Sequence, residues 1–250
     1  MKHISVAIDG PSGAGKSTLA RRIAERFGFL YVDTGAIYRT VALYVLRENI
    51  DPKDGGTILD ALNHLRVEIS YGADGLQHML LNGTDVTGEI RMPEVSMAAS
   101  VVSAHPGVRV FLLETQRQLA RENDVVMDGR DIGTMVLPKA NVKIFLTASA
   151  EERAWRRTLE LDEKGMPRPY QEVLEDQRKR DYNDTHRDIA PLRQAEDAVV
   201  LDTTHLTLSE SEEALERIIR EQTGREPVQV REETEEEKAA RILGREMAGL

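Results

Sequence analysis

One eight-residue run, Gly10-Pro11-Ser12-Gly13-Ala14-Gly15-Lys16-Ser17, fits the pattern G-x-x-x-x-G-K-[ST], and it occurs once in the 250 residues. It follows an apolar, β-branched stretch that ends at Ile8-Asp9 and opens into a helical pattern beginning at Lys16. Strand, glycine-rich turn and helix in that order form a cradle for phosphate. The glycines let backbone N–H groups turn inward around the anion, and the helix N-terminus adds its partial positive charge. With a nucleoside triphosphate seated there, Lys16 reaches the β and γ oxygens and Ser17 offers its hydroxyl to Mg²⁺. Thr18 closes the segment. The plain alternative is a glycine-rich βα turn that holds no ligand.

The rest of the chain is patterned to surround such a cradle with a parallel sheet. Strand candidates at 4–8, 30–32, 125–127, 142–146 and 199–201 are nearly continuous in apolar residues, as strands covered on both faces are. Between the first two, Leu19, Ala20, Ile23, Ala24 and Phe27 fall on one helical stripe. Ser149 with Glu152 and Ser209 with Glu212 read as capping boxes that open helices after strands. Two segments break the rhythm. Residues 66–90 read as a small antiparallel meander, with turn signals at Gly72-Ala73-Asp74-Gly75 and Asn82-Gly83. Residues 151–187 read as a charged helical hairpin broken at Gly165-Met166-Pro167-Arg168-Pro169, the kind of excursion that often serves as a lid. Beyond about Thr223 a Glu-rich tail is expected to be partly helical, weakly packed and outside any active site.

Composition removes several function classes. No apolar run approaches the roughly 18–20 residues of a membrane span, and the first residues read as strand rather than signal peptide, so a cytoplasmic protein with no membrane partner is expected. The chain has no cysteine, which excludes disulfides, thiol catalysis and cysteine-ligated metals. Its six histidines, His3, His64, His78, His105, His186 and His205, form no metal or triad pattern. A net charge of −10, from 33 basic and 43 acidic residues, opposes a broad nucleic-acid footprint, since counterion release needs a basic surface. Most of the basic residues are Arg, the side chain suited to bidentate contact with phosphate oxygens. Any anion site must therefore be local.

Four segments could supply it. In Asp33-Thr34-Gly35-Ala36-Ile37-Tyr38-Arg39, Thr34 is placed to cap a helix and Arg39 sits one turn in, so a phosphate could meet a helix N-terminus and a guanidinium together; an ordinary capped helix has the same pattern. In Val125-Val126-Met127-Asp128-Gly129-Arg130-Asp131, an apolar strand ends in Asp128, which is suited to water-mediated contact with Mg²⁺. Arg130 and Asp131 follow at the carboxyl end of the sheet, where open α/β sheets bind ligands, although a structural salt bridge is the bland reading. Arg180, Asp184 and Arg187 are spaced to share one helical face, as a ligand clamp or as a surface ion-pair ladder. Arg153, Arg156 and Arg157 could fold over a transferring phosphoryl group or form a solvated face.

Taken together, the cradle, the DTGAIYR segment at 33–39, MDGRDIGT at 127–134, SAEERAWRR at 149–157 and RDYNDTHRDIAPL at 180–192 resemble the bacterial cytidylate kinases over about residues 3–222. The resemblance implies a P-loop kinase fold, a three-layer α/β/α arrangement with a five-stranded parallel sheet, a monophosphate-binding insert and a helical lid. Its divisions would be a core of 1–38, 108–150 and 186–223, an insert of 39–107, a lid of 151–185 and a tail of 224–250. It implies that residues 10–18 hold the ATP phosphates, with Arg153 and Arg157 in the lid near them. Thr34, Arg39 and Arg130 would meet the CMP phosphate, with Tyr38 in the same substrate-binding segment. Ser100, Arg109, Asp131 and Arg187 would read the cytosine, and Arg180 with Asp184 would contact the pentose. The family often has Ser at the position of Thr34, which keeps the hydroxyl. A monomer is implied.

The implied reaction, ATP with CMP or dCMP, needs no strong general base, because the acceptor is a phosphate with a second pKa near about 6 and is largely dianionic at neutral pH. Positioning and charge neutralisation by Lys16, Mg²⁺ and arginines suffice. Two other readings stand beside it. Another small-molecule P-loop kinase would show a carboxylate poised as base and no cytosine-reading set. An ATP-dependent switch with an acidic partner-binding tail would show nucleotide-dependent binding and no transfer.

Overall fold

The computed structural model describes residues 3–73 and 75–228. In chain order the elements are β1 (Ser5–Asp9), α1 (Lys16–Phe27), β2 (Leu30–Asp33), α2 (Thr34–Arg47), α3 (Gly55–Ala61), β3 (Val67–Tyr71), β4 (Gln77–Leu81), β5 (Thr84–Asp85), α4 (Pro93–Val102), α5 (Pro106–Glu122), β6 (Val125–Gly129), β7 (Val142–Thr147), α6 (Ala150–Glu163), α7 (Tyr170–His186), β8 (Val199–Asp202) and α8 (Leu208–Thr223). Five strands form a parallel sheet in the order β2-β6-β1-β7-β8. The chain runs from β1 out to β2, returns to insert β6 between them, and then builds β7 and β8 on the other side. Such a reversal opens a crevice beyond the carboxyl ends of the strands.

Helices cover both faces of this sheet, so the fold is a three-layer α/β/α arrangement around five parallel strands. The expected stripe on α1 is buried, and Leu19, Ile23 and Phe27 pack with Leu215 and Ile219 of α8 on one face. Ile37 and Val41 of α2, Val102 of α4 and Leu112 of α5 pack on the other. Val6, Ala7 and Ile8 of the central strand are fully buried between the two layers, which is why that strand shows no polar alternation. Among the described residues no single helix is long and apolar enough to cross a membrane.

The segment at 66–90 forms a second, antiparallel sheet in the order β3-β4-β5. Asn82 and Gly83 both take positive φ, 50° and 83°, as a two-residue hairpin turn between β4 and β5 requires. This sheet is tied to the main one by side chains. Gln77 accepts from the Asp33 N–H (2.8 Å) and donates to the Asp33 carbonyl (3.2 Å), and the Tyr71 hydroxyl donates to the Tyr31 carbonyl (2.9 Å). The hairpin α6–α7 breaks after Glu163 and resumes at Tyr170, with a small core of Ala154, Leu161, Val173 and Leu174.

Both expected capping boxes need correction. Ser149 accepts from the Glu152 N–H (3.1 Å), but the Glu152 carboxylate turns to Arg156, so only half of the box forms. The second box is Thr207 with Glu210, two residues before Ser209 and Glu212. The Thr207 hydroxyl accepts from the Glu210 N–H (3.2 Å), and the Glu210 carboxylate accepts from the Thr207 N–H (2.8 Å). Ser209 is left inside the first turn. Past α8, the Val228 N–H donates to the Arg26 carbonyl at the end of α1 (2.7 Å). Of the Glu-rich tail at 224–250, residues 224–228 are not helical and the remainder lies outside the described residues.

Candidate active site

The carboxyl ends of β1, β2 and β6 meet at a cavity of about 800 Å³, walled on its far side by the α6–α7 hairpin. The turn after β1 enters it under a tight backbone constraint. Gly10 has φ +154°, and a Cβ there would lie 1.9 Å from the Leu146 carbonyl oxygen of β7. Only glycine lets the loop leave the sheet at that point. Ser12, Gly13, Ala14, Gly15, Lys16, Ser17 and Thr18 line the cavity, and Gly10 and Pro11 form the turn behind them. Lys16, Ser17 and Thr18 begin α1, where first-turn N–H groups have no partner within the helix.

Lys16 is buried, and its ammonium donates across the loop to the Pro11 carbonyl (2.7 Å). Burial, joined by the charge of Arg130, pushes its pKa below the usual lysine range, against the pull of Asp128, Asp184 and Asp9. Asp128, at the end of β6, accepts from the Ser17 hydroxyl on one oxygen (2.9 Å) and from the Tyr31 hydroxyl on the other (2.9 Å). Burial and then Asp33 raise its pKa, while Lys16, Tyr31 and Ser17 oppose the rise. A hydroxyl and a buried carboxylate side by side are hard oxygen donors. Among the described residues no three His, Asp or Glu side chains form a metal cage. Such a sparse set fits Mg²⁺, which keeps most of its shell as water and phosphate oxygen.

At the carboxyl end of β2, Thr34 does not cap α2. Asp33 does, because its side chain stands one residue earlier and reaches the Ala36 N–H (2.9 Å). Its second carboxylate oxygen holds Arg39 (2.9 Å), and the Thr34 hydroxyl donates to the Asp128 carbonyl (2.7 Å). Tyr38, Ser100 and Arg39 line the same cavity. So do Arg130, which donates through Nε to Asp184 (2.8 Å), and Arg109, which is paired with Asp131. Arg187 stands 3.6 Å from Asp131 and lies just past the end of α7 rather than on the helical face shared by Arg180 and Asp184. Arg180 donates to the Ser12 hydroxyl (3.1 Å), linking α7 to the cradle. Burial lowers the pKa of Arg180 and Arg187, and the neighbouring Arg130 and Arg109 respectively lower them further. The site concentrates positive charge that an anionic ligand would offset.

Arg157 lines the cavity with its guanidinium on Glu160 (2.6 Å), and Arg156 lines it while donating to the Thr203 carbonyl (2.7 Å). Arg153 does not line it. Its side chain is buried behind the cradle, where it donates to the Ala148 carbonyl (2.9 Å), the Ser12 carbonyl (2.9 Å) and the Asp181 carboxylate (2.6 Å). Each of its three nitrogens donates to protein, so it braces the loop from behind. Sequence reasoning passed over Tyr31, Asp9 and Gln77. Each sits in a strand where nothing local marks a polar role, and only its hydrogen-bond partner elsewhere in the fold shows one.

A family model described as cytidylate kinase matches residues 6–222. Curated relatives named cytidylate kinase include one from Caldicellulosiruptor bescii, 52% identical over 219 residues (88% of this chain, 95% of that protein). One from Carboxydothermus hydrogenoformans is 52% identical over 205 residues (82% and 92%). A third, from Shouchella clausii, is 47% identical over 220 residues (88% and 97%).

Proposed function

The chain belongs to the cytidylate kinase family, and from that premise we propose that it transfers the γ-phosphoryl group of ATP to CMP or dCMP, giving ADP and CDP or dCDP. A phosphate oxygen of the acceptor forms the new P–O bond as the bond to the ADP oxygen breaks. The observation that carries the reading is one cavity lined both by the Lys16 cradle and by Arg39, Arg109, Arg130 and Arg187. A donor and a phosphorylated acceptor can thus face each other within one cavity.

In this reading Ser12, Gly13, Ala14, Gly15, Lys16, Ser17 and Thr18 hold the ATP phosphates, and Lys16, Arg130 and Arg157 offset the charge of the transferring group. Thr34 and Arg39 join Arg130 on the acceptor phosphate, with Tyr38 beside them. Ser100, Arg109, Asp131 and Arg187 read the base, and Arg180 and Asp184 hold the sugar. Ser17, and Asp128 through water, would hold Mg²⁺, which when bound supplies charge neutralisation on the phosphoryl oxygens. Residues 39–107 serve as the acceptor-side insert and 151–185 as the lid. The reading goes with a monomer acting in the cytoplasm on free nucleotides. Another small-molecule kinase or a nucleotide switch is not favoured, since the family match spans nearly the whole described chain.

The test is ADP release measured with CMP, dCMP, UMP, AMP and shikimate as acceptors. Turnover with CMP or dCMP at least about a hundredfold above the others in kcat/KM is expected. Equal turnover with AMP or shikimate, or none with any acceptor, would refute the assignment.

A further inference from the structure

Asp9 is the last residue of β1 and directly precedes Gly10, yet its side chain is only 4% exposed and takes no part in the cavity wall. Its two oxygens accept from consecutive backbone N–H groups, Ile132 (2.8 Å) and Gly133 (2.7 Å). Each oxygen accepts one backbone N–H and Asp9 is absent from the cavity wall, so the carboxylate faces protein rather than a ligand. The two N–H groups open a single wide turn, Ile132–Val136, whose later N–H groups, Met135 and Val136, return to the Asp131 carbonyl (2.9 and 3.2 Å). Wide turns of this kind often occur at functional sites. At Gly133 a Cβ would lie 3.4 Å from an Asp9 oxygen and 3.2 Å from Lys143, so the close approach uses the missing side chain.

Asp131, which this turn carries, is the carboxylate held by Arg109 and approached by Arg187. Register places Asp9 opposite Gly129, immediately before Arg130. The Asp9 carboxylate therefore fixes where the segment 130–133 leaves the sheet relative to the phosphate loop. Burial raises its carboxyl pKa to about 6, with the Gly133 and Ile132 N–H groups opposing the rise, so it is held as a buried anion at neutral pH at an energetic cost. An apolar residue would fill the volume without that cost, but it could not hold two N–H groups.

We propose that Asp9 is a positioning residue that sets the acceptor-reading Asp131 in register with the donor cradle through the N–H groups of Ile132 and Gly133. The proposal rests on the kinase reading above, because it takes Asp131 to contact the acceptor. The test is calorimetric binding of CMP and of ATP, separately, to the unaltered chain, Asp9→Ala, Asp9→Asn, Asp131→Ala and the Asp9→Ala/Asp131→Ala double variant, with a melting curve for each.

Asp9→Ala is expected to weaken CMP binding by about tenfold or more and ATP binding by less than about threefold. Asp9→Asn, which keeps one acceptor oxygen, falls between. In the Asp131→Ala background the Asp9 substitution should change CMP affinity by less than about twofold, because the route through Asp131 is already lost. Equal weakening for both nucleotides, independent effects in the double variant, or a lowered melting temperature with CMP affinity intact would each overturn the proposal. Should Asp9→Ala not fold, Asp9→Asn alone and combined with Asp131→Ala carries the same comparison. CMP binding by the unaltered chain separates the two levels. If it is absent, the functional reading falls and takes the proposal with it; if it is present with the wrong variant pattern, the proposal falls alone.

Discussion

Replacing Arg153 by Met keeps most of the stem and removes the guanidinium, which separates a brace from a phosphate contact. In the structure the group is 5% exposed and pairs with Asp181, itself 23% exposed, while donating to the Ala148 and Ser12 carbonyls. Removing one partner of a buried pair costs about 3–5 kcal/mol, and the partial exposure of Asp181 brings the expectation to the lower end, about 3 kcal/mol. At about 2–4 °C per kcal/mol for a chain of this size, the melting temperature should fall by about 6–12 °C. The loosened Ser12 carbonyl should raise the KM for ATP a few-fold, with kcat within about tenfold of the unaltered enzyme. A double-mutant cycle with Asp181→Asn should return a coupling of about 1 kcal/mol or more. An unchanged melting temperature with kcat down by about a hundredfold or more would refute the reasoning and put the guanidinium on the transferring group.

Lys16→Ala should lower kcat by about 10²–10⁴-fold while leaving thermal stability nearly unchanged, because a buried ammonium held below its usual pKa stabilises little; steady-state kinetics beside a melting curve checks both. Gly10→Ala forces a Cβ into the Leu146 carbonyl, backbone against backbone, and should cost more than about 4 kcal/mol in chemical denaturation; a loss below about 1 kcal/mol would contradict the constraint. Asp9 binds its proton more tightly in the folded chain, with a pKa of about 6 against 3.8 unfolded, so its contribution to stability is greatest below about pH 4 and declines as pH rises to about 6. Relative to Asp9→Asn, and apart from a constant offset, the unaltered chain should lose up to about 3 kcal/mol across that window in denaturant titrations; a flat difference would show that burial does not hold the proton there.

The parts legible in the sequence are those whose signal is local. The cradle announces itself because its glycines, Lys16 and Ser17 must follow one another between a strand and a helix. The inner strands are readable because both their faces are buried and polar residues are nearly absent from them, whereas the edge strand β8, with Val200 exposed, is readable from its apolar run alone. The ends of elements were read less well, since neighbouring polar residues compete for the same N–H groups. Asp33 outreaches Thr34 at the start of α2, and Thr207 with Glu210 pre-empts Ser209 with Glu212 at α8.

What could not be read is pairing across the sheet. Arg153 sits in a run of three arginines with nothing to mark it as the one turned inward. Tyr31 and Asp9 look like strand residues until β6 brings Asp128 and the following turn beside them. Sequence order alone carries no information on which carboxylate neutralises which arginine.

Those neutralising pairs have a consequence for turnover. Arg39 with Asp33, Arg109 with Asp131 and Arg130 with Asp184 are all formed in the protein by itself. On the proposed reaction an arriving phosphate would compete with Asp33 for Arg39 and with Asp184 for Arg130 rather than meet a naked cation, and a departing product would hand each guanidinium back. On that proposal the cavity would work as an ion exchanger: affinity would be moderated at both ends of the cycle, and release would not leave unshielded charge inside the molecule.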